Sequence, residues 1–148
     1  MTVLDPPQPG DSRNVINYQD YLREFKPKKR VKHKEYDICK ALVVKLNWLI
    51  ARGKLSGFYT CFPAGHGKLT AAQGGRLKAA GLLAGVSDYI FFALGTAFFL
   101  EMKAGANQQN DNQETFQKLA EAGGYPYAVC WSVEEALETL TGWGVLSA

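Results

Sequence analysis

Between Glu35 and about Arg52, the apolar positions Ile38, Cys39, Leu42, Val43, Leu46, Leu49 and Ile50 recur at three- and four-residue spacing, which predicts a helix stopped by Gly53. At about 100° per residue these side chains form one stripe, with Glu35 projecting into it and Trp48 on the other face. An acid there has a plain explanation, a first-turn carboxylate favoured by the helix dipole. GFYTCFP, residues 57–63, reads as a short strand, and Thr70 to Leu82 as a helix weakened by Gly74 and Gly75. Asp88 to Ala93 and Ala97 to Lys103 are largely apolar on both alternating faces, as expected for central strands covered by helices on each side. Asn110 to Ala122 suits a helix with Phe116, Leu119 and Ala120 facing inward, and YPYAVCW, residues 125–131, suits a further strand. SVEEALETL then opens a last helix, with Ser132 as N-cap and Glu135 at the capping-box position. This order predicts an α/β sandwich around a central mixed sheet flanked by helices.

Composition adds limits. At 148 residues the chain forms one domain with a real core. Its longest apolar runs, such as Tyr89 to Leu94, are too short to span a bilayer. The opening MTVLDPPQPGDSRN has neither the basic start nor the apolar stretch of a signal peptide, so a cytosolic protein is expected. Cys39, Cys61 and Cys130 fit no CxxC spacing and predict reduced core thiols, not structural zinc. AGHGKLT resembles a phosphate loop only superficially, because Phe62 and Leu69 stand where GxxxxGK[ST] needs Gly and Ser or Thr. His66 and Lys68 remain ordinary loop residues that could touch a phosphate.

Charge changes the picture more. The formal net charge of +3 hides REFKPKKRVKHK, residues 23–34, with seven Lys/Arg and one Glu, against a remainder of 10 basic and 13 acidic residues. A compact basic segment on a mildly acidic body suits a polyanion, nucleic acid being the usual one, although a solvated linker has the same composition. Residues 1–13, rich in Pro, Asp and Gly, read as a loose arm, and NVINYQDYLREF as a short helix ending before Pro27. The expected organisation is therefore an N-terminal arm over 1–34 and a folded domain over 35–148.

The apolar stretch GVSDYIFFALGTAFFLEMK, residues 85–103, contains three ionisable groups, Asp88, Glu101 and Lys103. If Leu94-Gly95 is a two-residue hairpin turn, Ala93 pairs with Thr96, and stepping outward places Asp88 opposite Glu101, with Cβ atoms about 5 Å apart. Glu101 and Lys103 share a face because side chains alternate along a strand. A three-residue loop would instead send Asp88 to the opposite side. Two carboxylates so close repel unless one is protonated or a cation lies between them. Carboxylate oxygens with an adjacent ammonium, and no thiol or imidazole nearby, favour Mg²⁺ or Mn²⁺ over zinc. The lysine could also hold or help deprotonate an attacking water and offset charge on a phosphate. A strand-end cap and an edge ion pair would fit the same spacing.

This Asp…Glu-x-Lys arrangement resembles the core of the PD-(D/E)XK nucleases. With RLKAAGLLAGVSDYIFF, FFLEMKAG, NQETFQKLAEAGG and YAVCWSVEEALETL around it, residues 35 to about 140 look like a VRR-NUC (virus-type replication-repair nuclease) domain. The small size is similar to the standalone versions carried by bacteriophages and their hosts. The resemblance implies a restriction-endonuclease-like core. It implies that Asp88 and Glu101 bind the metal with the Met102 carbonyl, that Glu35 completes the site, that Lys103 positions or activates water, and that Gln113 supports them. By helical geometry Gln113 lies about 20° from Ala120, on the inward side. Ser87 stands where the family usually has proline; proline would stiffen the approach to the strand without supplying a reacting atom, so activity is expected to survive.

The expected protein is thus a Mg²⁺- or Mn²⁺-dependent DNA endonuclease, as the family's standalone members resemble structure-selective enzymes acting on branched DNA such as four-way (Holliday) junctions, often as homodimers. Lys28, Lys29, Arg30 and Lys32 would position DNA through its phosphates, with His66 and Lys68 as further contacts. A non-cleaving DNA-binding accessory module of replication or repair is the alternative, and a purely structural phage protein would leave the three charges unexplained. The expected setting is the cytoplasm of a bacterium or phage-infected cell.

Overall fold

The computed structural model describes residues 34–62 and 70–148. The elements expected before residue 34 and nearly all of AGHGKLT lie outside them, as do Lys28, Lys29, Arg30, Lys32, His66 and Lys68. The described elements are α1 (Lys34–Ile50), β1 (Phe58–Cys61), α2 (Ala71–Ala79), β2 (Tyr89–Ala93), β3 (Thr96–Met102), α3 (Asp111–Ala122), β4 (Tyr127–Cys130) and α4 (Val133–Gly142). The fold is α/β. One mixed sheet runs in the order β1-β2-β3-β4, antiparallel until β4 joins parallel to β3. A parallel neighbour needs a crossover, and α3 supplies it.

Strand alternation divides the molecule into layers. Tyr89 and Phe91 of β2 and Phe98, Leu100 and Met102 of β3 point to one face, where they pack with Leu42 and Leu46 of α1 and Ala136 and Leu140 of α4. Complete burial of one such leucine contributes about 2 kcal/mol. The opposite face holds a smaller cluster in which Phe116 and Ala120 of α3 meet Tyr127, Phe99 and Val129. Phe99 makes an edge contact with Phe116 at 5.2 Å between ring centroids.

Four expectations of burial are corrected. Leu119 is 56% exposed because α3 presents only the narrow Phe116–Ala120 stripe to the sheet. Ile50, in the last turn of α1, is exposed as well. Cys61 lies exposed on the edge strand β1; all three thiols are free, but only Cys130 is fully buried. Phe92 is exposed too, so the sheet is not covered along all of β2; its ring stacks instead on that of Phe58, which is 64% exposed, at 5.1 Å.

The β2–β3 hairpin has the two-residue turn expected of it. Leu94 and Gly95 have φ of 54° and 74°, both left-handed, as a type I′ turn requires. For Leu94 that conformation costs about 1 kcal/mol. The register pairs Ala93 with Thr96 and Tyr89 with Leu100. No described helix is long and apolar enough to cross a membrane.

Candidate active site

One step beyond the Tyr89–Leu100 pair, Asp88 and Glu101 face each other on the α3 side of the sheet. Each carboxylate reaches across to the other strand's backbone. The Asp88 N–H donates to Glu101 Oε2 at 3.2 Å, and the Met102 N–H donates to Asp88 Oδ2 at 2.8 Å. The two side chains thus continue the hairpin where the regular strand pairing stops. Glu101 is 1% exposed and Lys103 6% exposed, and Lys103 Nζ donates to Glu101 Oε1 at 2.8 Å.

The fourth member comes from α3. Gln113 Nε2 donates to the same Glu101 Oε1 at 2.5 Å, while Gln113 Oε1 accepts the Asn110 backbone N–H at 3.0 Å. Asn110 Oδ1 in turn accepts the Gln113 N–H at 3.0 Å, closing a reciprocal capping box at the start of the helix. The helix can sit this close because residue 85 is glycine. A Cβ there would lie 2.2 Å from the Asn112 carbonyl oxygen, and the residue holds φ of +80°. Behind the site, the Trp131 indole N–H donates to the Asn107 carbonyl at 3.0 Å, anchoring the connection that leads from Lys103 to α3.

Electrostatics follow from this crowding. Burial, and then the negative charge of Asp88, push the Glu101 carboxyl up to about 7, against the opposing pull of Lys103 and the Asp88 N–H. Burial raises the Tyr127 phenol well above its ordinary range, with the charge of Glu101 adding to the effect. The Cys39 thiol, pushed up to about 11 chiefly by burial, feels Asp88, Glu35 and Glu101 as well.

The structure therefore brings together Asp88, Glu101, the Met102 backbone, Lys103 and Gln113. Glu35 stands half-buried in the first turn of α1, the helix that packs on the opposite face. Among the described residues no group of three His, Cys, Asp or Glu side chains is placed to hold one metal ion. Asn110 and Gly85 are the positioning groups that sequence reasoning passed over. The N-x-x-Q spacing of Asn110 and Gln113 was the available signal for the first; a glycine alone signalled nothing for the second.

The donor set suits a hard divalent cation. It consists of carboxylate and carbonyl oxygens, and Mg²⁺ commonly takes one or two carboxylates and keeps water for the rest. Oε2 of Glu101 accepts one hydrogen bond, from the Asp88 N–H, and retains acceptor capacity. Two acids so close repel each other, and a cation between them or a proton on one relieves that repulsion.

No protein-family model, curated protein or solved structure matches this chain.

Proposed function

We propose that the protein is a divalent-metal-dependent DNA nuclease of the VRR-NUC type, hydrolysing phosphodiester bonds. The observation that carries this reading is a carboxylate 1% exposed, beside a second carboxylate, with a buried lysine and a glutamine amide on one of its oxygens. Burying an acid against another acid destabilises a fold. A fold has little use for that cost unless the charge does chemistry.

Asp88 and Glu101, with the Met102 carbonyl, would hold Mg²⁺ or Mn²⁺, which when bound polarises a phosphoryl oxygen and lowers the pKa of a bound water. Lys103 has an ammonium fixed beside Glu101, from which it can orient a water for attack and offset charge growing on the phosphate. Gln113 supplies an N–H that keeps Glu101 Oε1 in place, leaving Oε2 turned toward Asp88. Glu35, in the first turn of α1, would complete the metal site. The preferred substrate is branched DNA such as a four-way junction, cut by a homodimer, with the basic segment at 23–34 gripping phosphates. The enzyme would work in replication or repair in the cytoplasm of a bacterium or phage-infected cell.

The test is incubation of the purified full chain with branched and linear DNA, with Mg²⁺ or with a chelator. Cleavage is expected with Mg²⁺, none with chelator, and none by Lys103→Ala or Asp88→Asn. Cleavage that persists in Lys103→Ala removes the mechanism. Binding without cleavage by the wild type would favour the non-cleaving accessory module instead.

A further inference from the structure

The Gln113 carboxamide answers two demands at once. A backbone N–H can only donate, so the amide must present its oxygen to Asn110; an ionised carboxylate can only accept, so it must present its NH₂ to Glu101. Glutamate at this position would close a capping box equally well but would turn an acceptor toward Glu101. Glutamine satisfies both partners, and only in one of its two flipped orientations.

We propose that Asn110 is a positioning residue for the acid site: by capping α3 it holds Gln113 in the single amide orientation that donates to Glu101. This rests on the nuclease reading for its bearing on turnover, but not for the geometry itself. The Asn110 side-chain Oδ1 accepts the Gln113 backbone N–H at 3.0 Å, which seats the first turn so that the Asn110 backbone N–H donates to Gln113 Oε1 at 3.0 Å, and the Gln113 NH₂ is left directed at Glu101 Oε1 at 2.5 Å. Gly85 supports the device from the other side by letting the chain that leads to Asp88 lie against the Asn112–Gln113 backbone. The acid site is thus tied to a helix cap at a residue that touches neither acid.

A comparison of two caps separates this role from simple helix stabilisation. Ser132 caps α4 by accepting the Glu135 N–H at 3.1 Å, and it has no bond to the acid site. Asn110→Ala and Ser132→Ala each remove one side-chain cap, so both should lower the unfolding midpoint of the full chain. In ¹⁵N-labelled protein, the Gln113 side-chain NH₂ resonances, assigned through their absence in Gln113→Glu, should be dispersed and slow to exchange in the wild type. Asn110→Ala should collapse them toward solvent-exposed values, and Ser132→Ala should leave them in place. Turnover on branched DNA should fall about tenfold in Asn110→Ala at little changed KM, the scale typical of groups that orient a metal ligand, and should survive in Ser132→Ala. Asn110→Ser, which keeps a capping oxygen, should restore both signals. If Asn110→Ala does not fold, Asn110→Gly removes the same oxygen with less disturbance of the helix start and must give the same collapse. An unchanged Gln113 resonance in Asn110→Ala or Asn110→Gly overturns the proposal. A wild type that cuts no DNA would remove the nuclease reading while the resonance still decides whether Asn110 positions Gln113.

Discussion

Glu101 concentrates the opposing forces of this molecule in one side chain. Its carboxyl is pushed up to about 7 by burial and by Asp88, so between the ordinary value of 4.5 and about 7 the folded chain binds a proton that the unfolded chain has released. The sign follows directly: this group's contribution to stability is fully present below 4.5 and is lost as pH rises through about 7. Over that window the loss amounts to about 3 kcal/mol, at 1.36 kcal/mol per pH unit. Urea unfolding in the presence of chelator should therefore show a lower midpoint at pH 8 than at pH 5, and Mg²⁺ should recover much of the difference at pH 8. A midpoint rising from pH 5 to pH 8 in chelator would contradict this account of the site. The juxtaposition of Asp88 and Glu101 was legible in the sequence because side-chain alternation and a two-residue turn leave no freedom in the register. The face of the sheet that α1 covers was not legible. A helical wheel gives the direction of a side chain about its own axis and says nothing about which face of a sheet the helix will cover.

At the scale of elements, caps and close approaches set where α3 begins. Gly85 is needed twice over, for its left-handed φ and for the room beside the Asn112 carbonyl. Gly85→Ala should cost about 2 kcal/mol or more from the backbone conformation alone, measured by thermal or urea unfolding. Because the added methyl would push α3 away, it should also loosen the Gln113–Glu101 bond; a variant as stable as the wild type would mean that the contact is readily relieved. Elements were read well where patterns were strong. All eight described elements have the expected type and order, with ends differing by a few residues. Caps were read less well. Thr70–Gln73 and Asn110–Gln113 close full boxes, whereas at Ser132 the Glu135 carboxylate accepts the Trp131 N–H instead of returning to the cap. Leu119 was misjudged because an apolar residue one step from Ala120 falls inside a generous stripe but outside the narrow one that α3 buries.

At the scale of the whole molecule, the last residues fasten the beginning of the sheet. Leu146 bridges to Leu55, the Ser56 N–H donates to the Val145 carbonyl at 2.9 Å, and the Ser147 N–H donates to the Lys54 carbonyl at 2.9 Å. Val145 is completely buried and Leu146 nearly so, both within the larger core. Truncation after Gly144 should cost about 4 kcal/mol from the two buried side chains alone. Chemical denaturation of the shortened chain checks this, and an unaltered midpoint would show that the tail only decorates the sheet. This closure was hard to see in advance, since GVLSA contains no periodic pattern and its partners are some ninety positions away in the chain. The α/β layering, by contrast, follows from alternating apolar strands and from helices with one apolar stripe, which have few ways to cover each other.

The hydrogen bond from Trp131 to Asn107 gives the molecule a natural optical gauge. Indole emission responds to loss of such a bond and to water reaching the ring, so Trp131 reports whether the segment between Lys103 and Gln113 is seated. With Trp48 and Trp143 changed to phenylalanine, the single remaining tryptophan, excited selectively at the red edge of its absorption, would follow that segment through unfolding, cation titration and nucleic-acid loading without an attached dye.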